Sequence, residues 1–122
     1  MSVSFGDILR DKRRGAGMSQ RRLAELAGLD FSYISKLENN HMSAPAVETI
    51  LKIAEILACP AEDMLAAANK LPTEVGQQLS GNASAVRFLL EASSLGLSTD
   101  DWERMRGALH DLRPGKLARK KR

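Results

Sequence analysis

The residues best equipped to recognise another molecule lie in one short stretch, Asp30-FSYISKLE-Asn39. Helical spacing puts Ile34 and Leu37 on one side of it. Phe31, Ser32, Ser35, Lys36 and Asn39 then project from the other. The projecting side holds no acid and offers a cation, two hydroxyls, an amide and an aromatic ring. Such a face can enter a DNA major groove, where hydrogen bonds to base edges and contacts with thymine methyl groups supply sequence readout. The rest of the chain offers little catalytic chemistry. It has no HExxH, no glycine loop that would cradle a phosphate after a strand, and no Ser/His/Asp set in a strand-built pocket, so no enzymatic activity is expected. His41 and His110 have no metal-ligand company in the sequence, and neither a metal nor a cofactor is expected. Asp100, Asp101 and Glu103 sit where a helix amino end favours negative charge.

The elements that must hold this face are helical. Phe5 to Arg14 reads as a first helix, closed by Gly15 and Gly17. Ser19 caps a second over Gln20–Ala27, with Leu23, Ala24 and Ala27 inward. Gly28-Leu29 makes a tight connection, and Asp30 caps the third helix, which Asn39-Asn40 ends. Pro45 suits the first turn of a fourth helix, where Val47, Ile50, Leu51, Ala54 and Leu57 recur at helical spacing. Pro60 restarts a fifth from Ala61 to about Ala68, burying Met64 and Leu65. Two short helices joined as tightly as the second and third cross steeply, which is helix-turn-helix geometry. Beyond Leu71-Pro72 three further helices are expected: Thr73–Leu79, one capped by Asn82 to about Ser93, and Thr99 to about Leu112. Ser98 and Asp101 there resemble a capping box. Pro114-Gly115 is expected to end order. The fold class is all-α: five helices, then a small helical carboxyl-terminal region.

Composition sets the outer limits. The 122 residues are 43% hydrophobic and 27% charged, an ordinary globular balance. No apolar run is long enough to span a bilayer and no apolar leader opens the chain, so a cytoplasmic protein is expected. One cysteine, Cys59, excludes an internal disulfide; a small buried hydrophobe and a redox sensor are both open readings. The net charge of +3 is unevenly spread. Arg10, Lys12, Arg13, Arg14, Arg21 and Arg22 face Asp11 alone among acids in that stretch, and RPGKLARKKR closes the sequence without any acid. A basic edge suits a polyanion, although solvated charge explains a lone patch equally well.

The run MSQRRLAELAGLDFSYISKLENN resembles the Xre family of repressors, the Cro/cI-like helix-turn-helix proteins of phages and bacteria. The likeness covers roughly residues 5–71, through Ser19-Gln20, Leu23-Ala24, Ala27-Gly28 and Ser32-Tyr33-Ile34-Ser35-x-Leu37-Glu38-Asn39. It implies a recognition helix in the major groove of double-stranded DNA. Phe31, Ser32, Ser35 and Lys36 then meet bases, Lys36 donating to guanine O6/N7 and Phe31 packing on a thymine methyl. Arg10, Arg14, Gln20, Arg21, Tyr33, Asn39, Asn40 and His41 are expected at phosphates, with Lys12 and Arg22 adding to the attraction. Bland readings stand beside these: Phe31 as a core aromatic, Tyr33 as a packing residue with its hydroxyl at the rim, Arg21 and Arg22 as a solvated face. The resemblance also implies an ion pair between Arg13 and Glu38. Asn40 departs from the family's common glycine, and His41-Met42-Ser43-Ala44-Pro45 is one residue longer than the commonest loop.

One recognition helix reads about half a turn of duplex, so two copies related by a two-fold axis are expected on a palindrome. We therefore divide the chain into a DNA-binding domain (1–71), a dimerisation or partner-binding region (72–112) and a disordered basic tail (113–122). Leu89, Leu90, Trp102, Met105 and Leu109 would form the dimer contact, being too apolar for about forty residues to bury alone. The alternatives are that these helices wrap the first five in a monomer, or that they bind a regulatory protein in an antitoxin-like or protease-controlled switch.

Overall fold

The computed structural model describes the backbone of residues 3–120 and the side chains of residues 3–112. All regular structure among them is helical: α1 (Phe5–Gly15), α2 (Gln20–Ala27), α3 (Phe31–Glu38), α4 (Val47–Ile56), α5 (Glu62–Ala67), α6 (Thr73–Leu79), α7 (Ala83–Ser94) and α8 (Thr99–Lys120). The chain divides into two compact units, residues 1–77 and 78–122.

In the first unit α1 packs on α3 and α5, α2 packs on α3 and α4, and α4 meets α5. Leu9, Leu23, Ile34, Leu37, Ile50, Ile53 and Met64 are essentially sealed from solvent at the centre. The stripe on α4 lies slightly round from the expected one. Ile53, which the spacing argument left out, is fully buried, and Leu51 is exposed. Ile50, Ile53, Ala54 and Leu57 fall at i, i+3, i+4 and i+7, and Leu51, about 100° round from Ile50, lies about 60° beyond the edge of that arc at Ala54. Pro45 does not open α4: it is buried ahead of the helix, and Ala46 is the N-cap.

Helix ends in this unit follow one design. After each of α1 to α5 the chain turns through a left-handed residue, whose own amide and the one following it bond back into the last turn. After α1 and α2 that residue is a glycine, Gly17 and Gly28. Gly15, expected to break α1, is its last helical residue. Asn40, Ala58 and Asn69 take the position elsewhere, at φ of 60°, 55° and 59°. Ser4 and Ser19 cap α1 and α2, accepting hydrogen bonds from the Asp7 and Arg22 amides. Asp30 occupies the N-cap position of α3, but its side chain makes no capping bond.

The second unit contains α7 and α8, joined through Gly96 in the left-handed region. Asn82 caps α7, its Oδ1 accepting from the Ala85 amide. Ser98 and Asp101 form a reciprocal box, each side chain accepting the other's backbone N–H at 3.1 Å, with Asp in the place usual for Glu. The backbone of α8 continues past Pro114-Gly115 to Lys120, so the expected stop there is corrected. Proline's fixed φ is compatible with a helix; inside one it forfeits a hydrogen bond and its ring crowds the carbonyl four residues back, which can kink the helix without ending it. The expectation of a disordered tail concerns residues 113–122, whose side chains lie outside the described residues.

Candidate nucleic-acid interface

Two helices of eight residues each and a three-residue connection build the site. Gly28, at φ 69°, reverses the chain after α2, and the Leu29 amide bonds back to the Ala24 carbonyl at 2.9 Å. A side chain at that φ would be strained, so this turn depends on glycine. Ile34, Leu37 and Glu38 anchor α3 from its inner side. Phe31, Ser32 and Lys36 stand in solvent, with Ser35 half-buried beside them. Phe31 is 39% exposed, which removes the core-aromatic reading. Tyr33 is half-buried against the core cluster, so its ring packs.

The carboxyl end of α3 is fixed by a buried charge. Glu38 is 1% exposed. Its Oε2 accepts from Arg13 Nε at 2.6 Å, and its Oε1 accepts from Arg13 Nη2 and from Gln20 Nε2, both at 2.9 Å. Arg13 also donates to the Met18 carbonyl at 2.8 Å. The structure thus brings together the Arg13–Glu38 pair that the resemblance implied, and joins α1, α2 and α3 through one carboxylate. Burial alone would push the Glu38 carboxyl up. The hydrogen bonds from Arg13 and Gln20 and the charges of Arg13 and Arg10 outweigh it and hold the group below the ordinary carboxylate range. For Arg13 the hydrogen bond to Glu38 raises the pKa, against the opposing effect of burial.

This hub changes the placement of several residues expected at phosphates. Arg10 donates to the Glu38 carbonyl and to Asp7, so its guanidinium is turned toward protein. Gln20 gives one of its two amide hydrogens to Glu38. Asn40 Oδ1 accepts from the Gly6 amide at 3.1 Å, which ties the start of α1 to the end of α3. Lys12 pairs with Asp63 at 3.4 Å and Arg22 with Glu25 at 3.1 Å. Around the α2–α3 face, Arg14, Arg21 and Lys36 have no carboxylate partner among the described residues. Arg21 lies over the Phe31 ring, its guanidinium carbon 4.5 Å from the centroid. Asn39 and His41 are exposed, and the His41 amide bonds to the Lys36 carbonyl at 2.8 Å to close the turn.

Gly6 was missed in the sequence. A β-carbon there would fall within 2.7 Å of the Glu38 carbonyl oxygen and 2.6 Å of Asn40 Oδ1. The available signal was a glycine in the first turn of a helix, a costly place for one unless something approaches closely. Cys59 is half-buried, and burial raises its thiol pKa. Met42 is exposed in the loop after α3. Among the described residues no cluster of three or more His, Cys, Asp or Glu could hold a metal ion, and no helix is long and apolar enough to cross a membrane. In the second unit Leu89, Leu90, Trp102 and Leu109 are exposed and Met105 is half-buried; among the described residues there, only Ala92 is buried.

Two tightly linked helices, the second presenting an acid-free outer face, define a helix-turn-helix protein. Residues 9–64 match the helix-turn-helix family. The chain is 30% identical over 110 residues to the HTH-type transcriptional regulator RghRB of Bacillus subtilis, covering 83% of this chain and 79% of that protein. It is 36% identical over 62 residues to the HTH-type transcriptional repressor RghR of the same organism, covering 51% of this chain and 46% of the repressor. A crystal structure of the biofilm regulator SinR in complex with DNA matches 50% of this chain and 97% of that one, at 30% identity and a TM-score of 0.47. The chain belongs to the helix-turn-helix family of transcriptional regulators, of the Xre type that its sequence resembles.

Proposed function

We propose that this protein is a sequence-specific double-stranded DNA-binding transcriptional regulator, a homodimeric repressor that places α3 in the major groove of each half of a palindromic operator. The observation that carries this reading is the division of α3. Ile34, Leu37 and Glu38 are sealed inside, while Ser32 and Lys36 stand free with no acid between them. Ser32, Ser35 and Lys36 read base edges, with Phe31 beside them at the amino end of the helix. Arg14, Arg21 and the remaining amide hydrogen of Gln20 meet phosphates, as do the exposed Asn39 and His41. Selection of bound sequences from random duplexes tests this. The expected outcome is a palindromic consensus with half-sites about 34 Å apart. Lys36→Ala should cost about 1–3 kcal/mol at one base position of each half-site. Equal weakening on all sequences would make Lys36 a phosphate contact, and no enrichment would end the regulator reading.

The exposed apolar side chains of α7 and α8 support a partner for the second unit. A second copy is the first choice, because a two-fold pair of α3 helices doubles the base readout. A regulatory protein that binds the same side chains is the second reading. Light scattering separates them: two chains per particle for the purified protein favours the first, one chain the second.

A further inference from the structure

We propose that Phe31 works as a positioning residue for Arg21, and that the stacked pair is one DNA-recognition element that grips a two-acceptor group on the DNA. The inference rests on the DNA-binding reading and gives Phe31 a different task from the thymine contact expected of it. Three observations combine. Phe31 opens α3 and remains 39% exposed, too open to contribute much to the core. Arg21, on the first turn of α2, lays its guanidinium 4.5 Å from the centre of that ring. Three nearby arginines are otherwise engaged, Arg22 with Glu25 and Arg10 and Arg13 with Glu38, whereas Arg14, like Arg21, is left without a carboxylate. Arg21 has no carboxylate partner among the described residues.

A guanidinium is planar, and stacking uses only its face. The edge keeps its parallel N–H donors, while the ring restricts the rotations that would otherwise be lost on binding. Arg14, Ser19, Gln20, Arg21 and Phe31 line the same open cleft of about 460 Å3, which also reaches Arg13, so the edge borders a surface rich in donors. Two parallel donors fit guanine O6/N7 or two oxygens of one phosphate equally well. The shared chemistry is a bidentate acceptor.

The test uses the full chain and its selected duplex, with Arg21→Ala, Arg21→Lys, Phe31→Leu, Phe31→Tyr and the double variant Arg21→Ala/Phe31→Leu. Both residues are exposed, so melting temperatures should stay close to wild type. Arg21→Ala should weaken binding roughly tenfold. Phe31→Leu should lose most of the same factor, the double variant little more, and Phe31→Tyr almost none. Arg21→Lys should bind almost as weakly as Arg21→Ala, because an ammonium has no plane to stack and no fork. In the free protein, Arg21 side-chain protons should show an upfield ring-current shift that Phe31→Leu abolishes and Phe31→Tyr keeps. A loss confined to one base position identifies guanine. A uniform loss with a salt slope shallower by about one identifies phosphate. Additive losses, full activity of Arg21→Lys, or an absent ring-current shift would overturn the proposal. If wild type selects no duplex, the regulator reading falls and the pair's role with it; if wild type binds and the losses add, only the pair's role falls.

Discussion

Glu38 keeps a carboxylate out of water at 1% exposure, an arrangement that holds only while its partners are in place. Glu38→Gln leaves Arg13 buried without its counter-charge and should cost about 3–5 kcal/mol in denaturant unfolding at neutral pH. The pH dependence follows from the lowered carboxyl pKa. A group held below its unfolded value near pH 4.3 stabilises the fold fully above that value, and the stabilisation drains away as pH falls through the folded pKa. Wild type should therefore lose stability below about pH 4.3, and Glu38→Gln should show a flatter acid limb; equal slopes would remove Glu38 from the account. Ala58 gives the opposite kind of residue-scale effect. It holds φ at 55° where a β-carbon crowds the following carbonyl, so Ala58→Gly should raise stability by about 0.5–1 kcal/mol despite glycine's greater freedom when unfolded.

At the scale of elements, α3 is held at both ends by means that differ in kind. Its amino end depends on the turn at Gly28. Its carboxyl end docks on α1, where Gly6 lets the backbones meet and Asn40 bonds across the junction. Gly6→Ala must push that junction apart and should cost about 1–3 kcal/mol. Because the shift tilts α3, DNA affinity should fall more than the loss of folded protein explains; affinity corrected to the folded fraction and still equal to wild type would separate the junction from recognition. Asn40 also explains how the chain departs from the family's usual glycine. It accepts the left-handed turn, and its side chain supplies a bond that glycine has no atoms to make.

At the scale of the whole molecule, the two units differ in how they dispose of apolar surface. The first seals a core of large side chains while leaving a few such as Phe31, Met42 and Leu51 exposed, whereas the second leaves Val86, Phe88, Leu89, Leu90, Leu95, Trp102, Leu109 and Leu112 exposed. If a second copy covers them, Leu90→Glu with Leu109→Glu should halve the particle mass in light scattering while the helical circular dichroism persists. Affinity for a palindromic duplex should drop toward that of a single half-site. An unchanged mass would place the dimer contact elsewhere. Binding should also weaken with salt, since Arg14 and Arg21 at phosphates would release counterions from the DNA.

The sequence by itself determined the helical class, most caps, the helix-turn-helix pairing and the inward stripe of α3, because these depend on local spacing and on residues that favour particular backbone angles. It placed Arg13 beside Glu38 only through resemblance. Tertiary structure decided which cations remain free. Lys12 and Arg10 look equivalent to Arg14 and Arg21 along the chain, yet Asp63 and Glu38 reach them from other helices, whereas the Arg22–Glu25 pair follows from spacing within α2. It also decided that Gly6 meets the end of α3 too closely for a side chain to fit without a shift, and that Phe31 lies under Arg21. A side chain's electrostatic role depends on what folding brings within a few ångströms of it, and linear spacing carries that information only within a single helix.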